Sequence, residues 1–188
     1  PIGVAAPPVR DPGVMQFVRQ MQATLTAASP GNDKIPLLVV MDDDYISYAG
    51  MVLAAQRINH AQPGPIAFES SPIGTDDFDM NALLKTRWIA TKTPRADDPP
   101  LDATMYETLD ALHALFTDPK SPIIDQYAKR IAMPVEMPRP RGDNLIARDW
   151  PRPPVPETLL LLERTKPLTA ADEAAALRFI LPRYTGPV

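Results

Sequence analysis

At 188 residues the chain is long enough for one domain with a packed core and short for two. A net charge of −4 without a basic stripe argues against a nucleic-acid partner, because a phosphate backbone has to be met by clustered cations. Cysteine is absent, which excludes disulfides, thiolate nucleophiles and cysteine metal sites.

The 24 prolines are the compositional oddity. They gather in Pro94–Pro100, Pro134–Pro140 and Pro151–Pro156, where fixed φ and a missing donor predict stiff surface connectors rather than internal helix or central strand. No run approaches the ~20 apolar residues of a membrane helix, and no basic-then-apolar leader opens the chain. The start, Pro-Ile-Gly-Val, lacks an initiator Met, so the expectation is a processed product or a piece of a longer polypeptide whose membrane segments lie upstream.

In chain order, Asp11–Ala28 places Val14, Phe17, Val18, Met21 and Leu25 on one helical face, with Asp11-Pro12 as cap and first-turn proline. Leu37–Met41 is an all-apolar run between Pro36 and three aspartates, the pattern of a strand covered on both faces. A helix is expected from Tyr45 to Asn59 with Ile46, Ala49, Leu53 and Ile58 inward. A strand at Pro65–Glu69, a short helix at Asp79–Lys85 and a strand at Arg87–Thr91 follow. Asp102–Phe116 reads as a helix with a stripe of Met105, Leu109, Leu112, Leu115 and Phe116. Ser121-Pro122 predicts a helix to about Ile131, and Ala132–Met137 and Thr158–Leu162 predict strands. Thr169–Asp172 is a capping-box pattern opening a last helix that ends before Pro182.

Strands alternating with helices predict a single α/β domain over residues 1–188. Its expected form is a three-layer sandwich with a mostly parallel βαβαβ core and added antiparallel edge strands.

The candidate ligand-binding residues are Asp42, Asp43, Asp44, Tyr45 and Lys92. The aspartates follow the first strand and so fall at the carboxyl edge of the sheet, where open α/β sheets bind ligands. Three readings stay open for them. One or two could cap the following helix. They could hold a divalent cation as the Asp-x-Asp pair of a nucleotide-sugar transferase does. They could be the acidic pair of a degenerate receiver domain, although the third strand ends in Lys92-Thr93-Pro94 where a receiver has its phosphoacceptor aspartate. Lys92 shares that edge if the strands are parallel, where it could bind a phosphate or sugar or tie the edge together. His60 and His113 have no partner at metal-ligand spacing, and no glycine-rich phosphate loop exists. No catalytic residue, metal ligand or cofactor is therefore assigned.

The order of segments resembles the C-terminal extracytoplasmic domain of bacterial polyprenyl-phosphate-sugar glycosyltransferases, a group with protein-mannosyltransferase-like and aminoarabinose-transferase-like members. The likeness covers about residues 35–165. It rests on Val39-Val40-Met41-Asp42 followed by Tyr45 and Tyr48, on Trp88–Thr93 ending in Lys-Thr, on Ser121–Tyr127, on Met133-Pro134 and on Leu159–Arg164. Pro94 stands where a glycine would be usual. The resemblance implies a non-catalytic domain on the periplasmic face of the membrane that assists acceptor binding, because that family's catalytic acid lies on loops between membrane helices. Its implied partners are the membrane-embedded part of the same polypeptide and a glycan or lipid-linked acceptor. The competing expectations are a stand-alone α/β protein with a Mg²⁺-binding acidic edge and a protein-binding module.

Overall fold

The computed structural model describes residues 13–32, 34–41, 46–60, 62, 64–70, 85–93, 111–137 and 155–183. The element order is α1 (Val14–Ala28), β1 (Ile35–Val39), α2 (Tyr48–Ile58), β2 (Ile66–Ser70), β3 (Trp88–Lys92), α3 (described over 111–117), β4 (Tyr127–Met137), β5 (Val155–Arg164) and α4 (Ala170–Ile180). Five strands form one sheet in the order β2-β1-β3-β5-β4, with β2, β1 and β3 parallel and β4 and β5 antiparallel.

The alternation of side chains along the strands divides the core in two. Ile35, Leu37, Val39, Trp88, Ala90, Leu159 and Leu161 face α1 and α2. Leu38, Ile89, Leu160 and Leu162 face α3 and α4. The result is a three-layer α/β sandwich with β1 in its interior, as the apolar run predicts. The five apolar residues of the α1 stripe are all buried, each stabilising by roughly 1.5–3 kcal/mol relative to exposure. On the other face the Phe116 and Tyr127 rings meet edge to face at 5.2 Å. The α4 capping box forms as the sequence predicts: Thr169 accepts from the Asp172 backbone N–H, and Asp172 accepts from the Thr169 backbone N–H and hydroxyl. Those two bonds hold the Asp172 carboxyl below its usual range.

Several expectations are corrected. No helix spans 121–131: a single 3-10 turn, Ile124–Gln126, leads straight into β4 at Tyr127. Ser121 does not cap a helix start; its buried hydroxyl donates to the Leu115 carbonyl and closes the end of α3. Residues 127–131 belong to a strand with a bulge. The pairing with β5 shifts between Lys129 and Ile131, so Arg130 is the extra residue. Ala49 is exposed and Leu53 is 54% exposed, because the inward stripe of α2 runs through Met51, Ala54 and Ala55, and Ile46, buried, precedes the helix and does not mark its face. The helices expected at 79–85 and 102–110, apart from Lys85, and the Asp11-Pro12 cap lie outside the described residues.

Three prolines sit inside strands without breaking the ladder. Ile35 donates to Pro65 on the β2 side, so Pro36 turns its nitrogen toward β3, which pairs with β1 only from Leu38 onward. Thr158 donates to Thr93 on the β3 side, so its opposite residue Pro134 turns its nitrogen away from β5 to the free edge. By the same parity Pro156 faces the β3 side beyond Lys92, where the pairing of β3 with β5 ends.

His60 follows α2 with φ 52, a left-handed position that favours glycine. Replacing His60 by Gly is expected to raise stability by about 0.5–1 kcal/mol in urea denaturation, since removing the Cβ penalty outweighs the added chain entropy.

Candidate functional site

The carboxyl ends of β1 and β3 are where the sequence places its site, and the structure gives this rim a buried polar lining. Beyond the last paired residue of β1, Val40 donates its N–H to Ala90 on β3. The Val40 carbonyl then takes the Nε2 of His113, 3.0 Å away, and the Thr91 hydroxyl at 3.4 Å. A carbonyl only accepts, so Nε2 carries a hydrogen there. His113 is 1% exposed and comes from α3. It is an internal clamp on the point where the chain leaves β1 for residues 42–45.

Lys92 lies on the other face of β3. Its ammonium is 2.6 Å from Glu157 Oε2, and both side chains are 3% exposed. The register explains the meeting: Lys92 stands opposite Leu159, and Glu157 lies two residues along β5 on the same face, a diagonal that a lysine can span. Val135 of β4 is the cross-strand neighbour of Glu157. Gly13, at the start of α1, packs over the same strand: a Cβ built there would lie 3.4 Å from Met133 and 3.5 Å from Val135. Removing two charges from water costs several kcal/mol, and close pairing offsets that cost only when the geometry is good. The pair with Glu157 ties β3 to β5 across this edge.

Asp42, Asp43, Asp44 and Tyr45 lie outside the described residues. The helix-capping role considered for the aspartates is filled by Ser47, whose side chain accepts from Gly50 N–H at 3.1 Å. Tyr48 opens α2, its hydroxyl 3.5 Å from the Phe68 carbonyl. Among the described residues no three of His, Asp and Glu stand close enough to hold a metal ion. None of the described helices is long and apolar enough to cross a membrane.

Sequence reasoning missed Glu157 and the task of His113. A carboxylate between Pro156 and Thr158, leading into four leucines, signals that something must neutralise it; only the strand register says that Lys92 does. It missed the opposite, amino edge altogether. There Arg87 donates through Nε and Nη2 to Glu163 Oε1, and Arg130 donates to Oε2 at 2.6 Å. The bulge in β4 puts Arg130 beside Glu163, because Ala128 is the residue opposite it. Burial pushes the Glu163 carboxyl up, but the bonds and charges of Arg87 and Arg130 outweigh it and hold the group below its usual range. Arg87 also lies over the Trp88 ring, 5.4 Å from its centre.

The site and fold together define a three-layer α/β domain whose described carboxyl rim is held by an internal ion pair and a histidine clamp. Compared with protein-family models, with curated proteins and with solved structures, the chain matches none.

Truncating one partner of the Lys92–Glu157 pair, as Lys92→Met or Glu157→Leu, is expected to cost about 3–5 kcal/mol. The Lys92→Met/Glu157→Leu double variant should recover most of that loss in urea denaturation; losses that simply add would show the pair to be uncoupled. Glu163 has a depressed folded-state pKa, so its stabilisation is present above its unfolded value and is lost as pH falls through the folded one. Glu163→Gln should cost about 1–2 kcal/mol at neutral pH, with the half-exposed arginines screened by solvent. The gap from the parent should shrink as pH falls below the unfolded glutamate value, followed by denaturation at stepped pH.

Proposed function

We propose that this chain is a non-catalytic extracytoplasmic domain of a polytopic membrane glycosyltransferase that uses a lipid-linked sugar, and that it assists acceptor binding beside the membrane-embedded part of the same polypeptide. The observation that carries the reading is the placement of Lys92. The Lys-Thr end of β3 is turned inward onto Glu157, which supports a structural role for that end of the strand. The strand that resembles the family's closing segment, Leu159–Arg164, is supported as a structural element too: it lies as β5 between β3 and β4. In this reading the domain is a rigid platform, with residues 42–45 leaving from a clamped β1 end and the catalytic acid supplied from outside the chain.

The first test is the reading frame that encodes the chain. Several apolar segments of ~20 residues are expected upstream of Pro1, and a frame without them would sink the reading. In the parent enzyme, deleting the domain is expected to raise the KM for acceptor while the protein still inserts in the membrane. Unchanged acceptor use after deletion would overturn the assisting role.

A further inference from the structure

The amino edge of the sheet carries a cleft of about 370 Å³ lined by Ser29, Asn32, Ile35, Pro36, Lys85, Thr86, Arg87 and Trp88. It opens between the end of α1 and the first residues of β1 and β3, at the opposite rim from the residues weighed in the sequence. Its volume falls within the range of small-molecule sites.

The chemistry of the cleft is one-sided. Among the described lining residues the charged ones are Lys85 and Arg87, both cations, and Lys85 is exposed. Arg87 spends Nε and Nη2 on Glu163, and a guanidinium has five N–H groups, so donors remain. Arg130 covers the other oxygen of Glu163, and Arg164, which donates to the Lys85 carbonyl, adds a further cation beside the cleft. In a chain of net charge −4, this is a local excess of positive charge. Trp88 lines the same cleft; it is 2% exposed, and its indole N–H has no acceptor among the described residues.

We propose that this cleft binds a soluble phosphate monoester, with Lys85 and the remaining N–H groups of Arg87 meeting the phosphate oxygens and Trp88 beside the ligand. Two cations match a dianion. Ile35 and Pro36 give the ester group an apolar wall. The site does not depend on the glycosyltransferase reading and stands or falls separately from it.

The test is NMR of the indole N–H. The chain has two tryptophans, so Trp150→Phe assigns the Trp88 resonance. Titration with glycerol phosphate is expected to shift that resonance saturably, and inorganic phosphate to do so more weakly. Glycerol, and NaCl at matched ionic strength, should leave it in place. Lys85→Ala, at an exposed position that leaves the fold intact, should raise the Kd about tenfold. No saturable shift, an equal shift with NaCl or glycerol, or an unchanged Kd in Lys85→Ala would overturn the site.

Discussion

Two-sided burial of the central strands is the constraint on which the rest of the molecule depends. β1 and β3 are covered by α1 and α2 on one face and by α3 and α4 on the other, so no residue of β3 reaches solvent. Apolar residues satisfy that constraint at little cost. The polar residues that share these strands cannot be solvated and must find partners inside the protein. Thr91 and Lys92 do so at the carboxyl end of the ladder, His113 of α3 joins Thr91 on the Val40 carbonyl, and the polar architecture of the rim follows from their needs.

The two rims of the sheet answer this demand differently. At the carboxyl rim a lysine and a glutamate neutralise each other almost entirely out of water, while a histidine and a threonine share one carbonyl. At the amino rim a single glutamate is shared by two arginines whose outer parts are 52% and 46% exposed. The first arrangement is closed and holds the strands in register. The second leaves cationic donors at the surface beside a buried indole N–H that has no acceptor among the described residues. A ligand carrying negative charge has something to meet at the amino rim.

Local chemistry explains where the elements end. Ser47 caps α2, the Thr169–Asp172 box starts α4, and Ser121 closes α3. The β4 bulge places Arg130 and Ile131 on one face in succession, which lets a single strand deliver a cation to Glu163 and an apolar side chain to the core. Pro134 at the free edge of β4 denies a hydrogen-bond donor to any neighbouring strand, a protection edge strands commonly need.

The sequence by itself determined the α/β class, the interior position of the 37–41 run, the α1 stripe and the α4 cap, because each rests on periodicity or capping within about a dozen residues. It misjudged 121–131, where Ser121-Pro122 read as a helix start while tertiary pairing with β5 imposed a strand with one extra residue from Tyr127 onward. It also misjudged Ala49 and Leu53, because it took the inward face from Ile46, which lies before α2, while the packed stripe runs through Met51, Ala54 and Ala55. Which charges meet was decided only by the fold. Lys92 and Glu157 are separated by 65 residues, and Arg87 and Glu163 by 76. Strand order and register set those meetings, and both are properties of the assembled sheet rather than of any segment within it.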